Sequence, residues 1–183
     1  MRIVAGERKG TRLLAPPGRG TRPTPDRVRE ALFAILADVG DARVLEPFAG
    51  TGALGFEALS RGAAEAVFCE LDAAALGVLR ENAARLRYAD RCTIKRQDGR
   101  RRLAADSAAG VTYDLIFLDP PYRFLNERAH ELQKLAERLA AKLKPEAWVI
   151  FRHDAADRLE LPALRRADER TYGGMALEFL TRP

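Results

Sequence analysis

From residue 43 onward the chain alternates short apolar runs with stretches whose apolar positions recur every three to four residues. That is the pattern of strands separated by amphipathic helices. Val44-Leu45 reads as a short buried strand, followed by a glycine turn and a helix over 53–61 that Gly62 terminates. A strand over 66–70 leads to Asp72, an N-cap residue, and a helix to about Leu86. Residues 92–95 predict a strand, then a polar loop and a short helix. Residues 113–118 predict a fully buried strand that runs into Asp119-Pro120-Pro121-Tyr122. Asn126 opens a long helix ending near Leu143, and 147–152 is another strand. Two strand-like segments around Gly173-Gly174 close the chain, the second over 175–181. Strands joined by helices imply a parallel sheet covered on both faces, and the closing hairpin adds an antiparallel edge.

The first 20 residues follow a different pattern. Residues 2–5 and 11–15 are compatible with strands, and Gly6-Glu7-Arg8-Lys9-Gly10 supplies a turn between them. Pro16-Pro17-Gly18-Arg19-Gly20 then breaks regular structure. A helix begins with Thr24 as N-cap, Pro25 at its first position and Asp26 in its first turn. Val28, Leu32 and Ile35/Leu36 form its apolar stripe, with Arg27 and Glu30 on another face.

Composition narrows the class. At 183 residues, 47% apolar and 31% charged, the chain has the makings of one folded domain. The N-terminus lacks the apolar region of a secretory signal, and no apolar run approaches the roughly 20 residues needed to cross a bilayer. A cytoplasmic protein without membrane contact is expected. Cys69 and Cys92 lie in apolar runs without C-x-x-C spacing, as reduced core thiols do. His130 and His153 are solitary, so no metal site is expected. The net charge of +5 is concentrated at one end. Residues 1–29 hold eight Lys or Arg against two acids, a net +6, and the other 154 residues sum to −1. Such a surface attracts a polyanion by counterion release, or it is simply solvated.

Two segments carry candidate chemistry. Glu46-Pro47-Phe48-Ala49-Gly50-Thr51-Gly52-Ala53-Leu54-Gly55 leaves a strand and opens a helix. Glycines there let a ligand approach the backbone, and the helix N-terminus favours a negative group. Glu70 ends the next strand, where a carboxylate can accept hydrogen bonds from ribose hydroxyls. Asp98 sits just past the third strand, within reach of an adenine amine in such a fold. Gly50, Gly52 and Gly55 also satisfy G-x-G-x-x-G, so a nicotinamide dinucleotide competes. Glu46 argues against that competitor, because an acid suits a cationic amino acid moiety and not a pyrophosphate.

The second segment is Asp119-Pro120-Pro121-Tyr122, at the sheet edge where open α/β folds bind ligands. An exocyclic amine on a base is a poor nucleophile, because its lone pair is delocalised into the ring. The Asp119 carboxylate and the Pro120 carbonyl can each accept an N–H, drawing that lone pair out of conjugation. Pro121 stiffens the loop, and Tyr122 can stack on the base.

With these residues in view, the chain resembles the bacterial 16S ribosomal RNA guanine-N2 methyltransferases, the small-subunit methyltransferase D type, over essentially its whole length. The likeness rests on Arg2-Ile3-Val4-Ala5-Gly6 with Gly10, and on Arg22-Pro23-Thr24 with Asp26-Arg27-Val28-Arg29-Glu30-Ala31-Leu32-Phe33. It rests also on the turn from Phe48 to Gly55 and on Asp119 to Tyr122. Pro25 departs from the small hydroxyl residue usual in relatives, a change suited to a first helical position.

The resemblance implies an α/β, Rossmann-like, S-adenosylmethionine-dependent methyltransferase fold. Its seven-stranded, mostly parallel sheet would end in an antiparallel C-terminal hairpin. Residues 1–20 would be a basic β-hairpin extension and 21–183 a class I methyltransferase domain. The implied reaction moves a methyl group from S-adenosyl-L-methionine to the exocyclic N2 of a guanine in 16S ribosomal RNA, free or within the small ribosomal subunit, by a monomer without metal. Glu46, Phe48, Gly50, Gly52, Glu70 and Asp98 would hold the cofactor, and Asp119, Pro120 and Tyr122 the amine and base. Arg22, Thr24, Arg27 and Glu30 would face the target nucleotide, while Arg8, Lys9 and Arg12 grip the RNA backbone. Arg100-Arg101-Arg102 extends that basic surface or is a solvated helix start. The alternatives are an amine methyltransferase acting on another RNA or on DNA, an NAD-dependent oxidoreductase, and a non-catalytic RNA-binding module. A DNA enzyme would need a target-recognition region and an oxidoreductase a substrate domain, for which a leader of about 20 residues leaves no room. Intact Asp119 and the glycines argue against the binding module.

Overall fold

The computed structural model describes residues 1–16, 24–121, 123–157 and 159–183. Its strands are β1 (Arg43–Glu46), β2 (Glu65–Cys69), β3 (Cys92–Lys95), β4 (Tyr113–Leu118), β5 (Leu143–Asp154), β6 (Arg165–Tyr172) and β7 (Met175–Thr181). They form one sheet in the order β3-β2-β1-β4-β5-β7-β6. The first five strands in that order run parallel, and β7 is antiparallel to both β5 and β6. This is the mostly parallel, seven-stranded sheet with a closing antiparallel hairpin that the resemblance implies. Successive strands are added outward in one direction from β1 and in the other from β4, which makes the β1–β4 junction the kind of switch point where open sheets leave a crevice.

The helices are α1 (Asp26–Leu36), α2 (Ala53–Ser60), α3 (Ala73–Leu86), α4 (Gly99–Ala108), α5 (Arg123–Glu127) and α6 (Ala129–Ala140). Strand side chains alternate between two apolar layers, as in a sheet buried on both sides. Val44, Ala66, Phe68, Leu115, Phe117 and Ile150 pack with the α1, α2 and α3 side chains. Leu45, Val67, Ile116, Leu118 and Phe151 pack with Leu103 of α4 and with Leu132, Leu135 and Leu139 of α6. The outer strand β6 is exposed and charged, with Arg165, Arg166, Asp168, Glu169 and Arg170, which discourages edge-to-edge pairing.

The leader closes through one antiparallel bridge, Arg2 to Arg12, with backbone bonds Ile3 N–H to Thr11 O, Gly10 N–H to Ile3 O and Leu13 N–H to Met1 O. It is fastened to the body by buried polar groups. Glu57 of α2, fully buried, accepts Val4 N–H at 2.8 Å and Ala5 N–H at 3.0 Å. The Ser60 hydroxyl donates to Ala5 O and accepts Arg8 N–H. Asn82 of α3 bonds both polar groups of the Leu14 backbone and reaches Thr51 O in the glycine turn. Ile3 and Leu13 join the core.

Three local expectations change. Pro25, not Thr24, is the N-cap of α1, and the Thr24 hydroxyl is used elsewhere. In α1 the buried stripe is Val28, Arg29, Leu32, Phe33 and Leu36, leaving Ile35 42% exposed. The Arg29 guanidinium is drawn in by Arg2 O and Asp26. The long helix expected from Asn126 breaks at Arg128, whose backbone is non-helical, and ends at Ala140, so that Leu143 begins β5. Asp72 does cap α3, accepting Ala75 N–H at 2.9 Å.

Candidate active site

β1 ends at Glu46, and residues 47–52 turn the chain into α2. Gly50 and Gly52 take left-handed φ values of 53° and 77°, where a side chain is strained. Their surroundings differ. A Cβ on Gly52 would fall 2.4 Å from Leu79 Cδ1, so that glycine exists for close packing. A Cβ on Gly50 would meet no atom within 4 Å. Gly55 allows contact with Phe68, 2.4 Å from its hypothetical Cβ. The turn is held from β2: Ala49 N–H donates to Cys69 O, and Gly50 N–H to Glu70 Oε2 at 2.8 Å. Glu70 Oε1 accepts the N–H groups of Leu71 and Asp72, so this carboxylate is fixed from both sides.

Glu46 is buried, and its Oε2 accepts Gly55 N–H at 3.1 Å. Burial pushes its carboxyl well above the usual carboxylate range, and the neighbouring charges of Asp119 and Glu70 add to this. A cation placed there would relieve all three acids. Asp98 follows β3, and Gly99 beside it lies so close to Pro47 that a Cβ would sit 2.6 Å from the proline Cβ. Both Asp98 oxygens are taken by Arg100, whose guanidinium also reaches Glu131. The Arg100 hydrogen bond holds Asp98 below its ordinary value. An adenine amine would therefore share Asp98 with Arg100.

Asp119 and Pro120 stand at the end of β4, next to the end of β1. Phe48 of the glycine turn meets Phe124 of α5 edge to face, with ring centroids 5.6 Å apart. The glycine turn and the helix that follows the Asp119 segment thus meet at one rim of the sheet. Asp119 is 23% exposed, and its Oδ1 accepts Arg152 Nε–H at 2.7 Å. Burial raises its carboxyl, and the Arg152 charge and hydrogen bond oppose the rise. Tyr122 and Arg22 lie outside the described residues.

The substrate-facing candidates divide. Thr24 is buried and accepts a hydrogen bond from Arg152 Nη1 at 2.8 Å. Arg27 and Glu30 lie on α1, and both are exposed. Arg12 is exposed and bridges Arg2, which pairs with Asp26 at the start of α1. Arg8 and Lys9 are elsewhere. The Arg8 backbone bonds Ser60 at the far end of α2, and its guanidinium lies 5.7 Å from the Tyr88 ring centre. Eight helical residues put that point about 12 Å from the glycine turn.

Arg152 was not among the sequence candidates. Its one signal was a cation closing an otherwise apolar strand, next to the candidate rim. Glu57 and Asn82 gave the same kind of signal, as polar residues on helix faces that needed to be apolar.

Residues 1–181 match the family described as Conserved hypothetical protein 95. The "Putative rRNA methyltransferase YlbH" of Bacillus subtilis is 34% identical over 178 residues, 94% of each chain. The Ribosomal RNA small subunit methyltransferase D of Escherichia coli is 44% identical over 124 residues, 67% of this chain and 61% of that enzyme. Among solved structures, the "Putative methyltransferase yhhF from Escherichia coli" superposes with a TM-score of 0.81 at 34% identity, covering 100% of this chain and 97% of the other.

Proposed function

The chain belongs to the small-subunit ribosomal RNA methyltransferase D family, and from that premise we propose that it methylates the exocyclic N2 of a guanine in 16S ribosomal RNA, with S-adenosylmethionine as donor. One observation carries the reading: β1 and β4 pair in parallel, so that the glycine turn and the Asp119 segment leave adjoining strand ends, and Phe48 packs on Phe124 of the helix that follows. A cofactor cradle and an amine acceptor then share one rim.

The residues fit this cofactor. Gly50 leaves room against the backbone, the α2 N-terminus suits a carboxylate, and Glu70 suits ribose hydroxyls. Glu46, raised by burial and by neighbouring acids, suits an ammonium and is a poor neighbour for a pyrophosphate. S-adenosylmethionine supplies a methyl group on a sulfonium, whose sulfur keeps the S–C electron pair as the nitrogen–carbon bond forms. The protein's share is alignment and charge. Asp119 accepts one N–H of the amine and the Pro120 carbonyl the other, which aims the lone pair. As positive charge develops on nitrogen, the Asp119 carboxylate stabilises it and can take up the departing proton. The accessible cations of the leader and of α1 hold the RNA backbone, Arg12 and Arg27 near the rim and Lys9 further away.

The test is transfer from labelled S-adenosylmethionine to small subunits lacking the modification, with the label mapped by mass spectrometry. Label on one guanine N2 in the wild type, and none with Asp119→Ala at a cofactor affinity within a few-fold, is expected. Label on another base or another nucleic acid overturns the substrate assignment. Undiminished turnover by Asp119→Ala removes Asp119 from the chemistry. Nicotinamide binding without S-adenosylmethionine binding in calorimetry overturns the cofactor.

A further inference from the structure

The geometry points to Arg152 as a positioning residue, which orients the Asp119 carboxylate and fastens it to the segment that leads into α1. This rests on the role given above to Asp119. Arg152 is 8% exposed and closes the apolar part of β5. Side-chain alternation puts it on the same sheet face as Ile150, the face covered by α1, whereas His153 turns to the other side and pairs with Glu178. On the α1 side its Nε–H donates to Asp119 Oδ1 at 2.7 Å, and its Nη1 donates to Thr24 Oγ1 at 2.8 Å. Thr24 lies 128 residues away in sequence and two residues before α1.

One planar guanidinium therefore reaches both the motif aspartate and the start of the helix that carries Arg27 and Glu30. Because the fork is rigid, the two contacts are not independent. Holding Oδ1 fixes the carboxylate plane, and so the direction in which Oδ2 is presented. Among the described residues, the charge facing Asp119 from β5 is Arg152, and at the end of β1 lies Glu46, whose carboxyl senses both Asp119 and Glu70. Burial favours protonated Asp119, while the Arg152 charge and hydrogen bond favour the ionised form that can accept an amine N–H. A displacement of Thr24 on RNA docking would be transmitted to Asp119 through this side chain.

Activity needs ionised Asp119, so it falls as pH drops through the Asp119 pKa, and losing the Arg152 charge moves that limb to higher pH. Three variants separate the roles, each measured for kcat, KM, cofactor affinity and the acid limb of kcat/KM. Arg152→Met should lower kcat at least 100-fold and shift the limb up by about one pH unit or more, with cofactor affinity within three-fold. Arg152→Lys keeps the charge without the fork, so its limb should stay near wild type with kcat only partly restored. Thr24→Val should leave the limb unmoved and lower kcat several-fold. Should Arg152→Met fail to fold, Arg152→Gln, which keeps a donor but no charge, takes its place with the same expected limb shift. A folded charge-removed variant with a wild-type limb refutes the proposal. If Asp119→Ala abolishes transfer and the limb is nonetheless unmoved, only the role of Arg152 falls. If Asp119→Ala keeps turnover, the underlying reading falls instead.

Discussion

Replacing Gly50 with alanine separates a ligand site from a packing requirement, because structure and function should respond differently. At Gly50 the added methyl meets no atom within 4 Å, so the fold is taxed only by its left-handed backbone. An L-residue there costs about 1–2 kcal/mol, and with m of about 2 kcal/mol/M the urea midpoint should fall by roughly 0.5–1 M. The methyl does enter the space assigned to the cofactor. Loss of close backbone approach should weaken S-adenosylmethionine at least tenfold, about 1.4 kcal/mol.

Gly55→Ala is the counterpart. Its Cβ would lie 2.4 Å from Phe68 Cε1 and 2.9 Å from Glu46 Oε2. Overpacking of that kind costs about 1–3 kcal/mol; the part of any affinity loss that comes from the Phe68 clash should disappear once the unfolded fraction is allowed for, and what remains reports the displacement of Glu46. Urea denaturation and calorimetry on both variants decide the matter. A folded Gly50→Ala protein that binds S-adenosylmethionine within two-fold of wild type would refute the idea that the cofactor lies against this turn.

Two further outcomes concern the leader. Glu57→Gln keeps the shape but replaces one of two accepting oxygens by a donor that faces either Val4 N–H or the N–H groups of Ala5 and Arg61. It should destabilise by about 1–3 kcal/mol, with limited proteolysis cutting first within residues 1–16; unchanged urea stability and cleavage would contradict the docking described. Replacing Lys9 and Arg12 together by alanine should reduce the slope of log affinity for RNA against log salt by about 2, one for each phosphate deprived of its cation. An unchanged slope in filter binding would take the leader out of the RNA interface.

The sheet was legible because a strand buried on both faces needs a continuous apolar run, and residues 113–118 supply one. Turn and cap chemistry located α2 and α3, since Gly62 and Asp72 each answer a backbone need that few residues meet. Where patterns failed, tertiary contacts had overridden local preference. Thr24 looks like an N-cap by composition, but a buried guanidinium claims its hydroxyl. Arg29 reads as a solvent-facing cation, yet Arg2 O and Asp26 draw it inside. The break at Arg128 has no proline or glycine to announce it. The triad of Thr24, Asp119 and Arg152 joins three separate elements and leaves no periodic trace. The Asp98–Arg100 clasp is different: the two residues are near neighbours, but only the geometry of the bend before α4 turns the arginine back onto the acid.

On the proposed function, the distribution of charge also decides how RNA can approach. Glu46, Glu70 and Asp119 gather at one rim, close enough that Glu46 senses both of the others, while a net +6 lies in residues 1–29. Phosphates are repelled by the first group and attracted by the second, each over a Debye length of about 8–10 Å. The cation of the cofactor belongs with the acids. What crosses from the basic surface to the acidic rim must then be the uncharged part of the nucleotide, the base. Since an extruded base spans several ångströms from its phosphate, on this proposal Arg12 and Arg27 would partner the flanking phosphates, and Arg8 and Lys9, some 12 Å along α2, would engage nucleotides further along the strand.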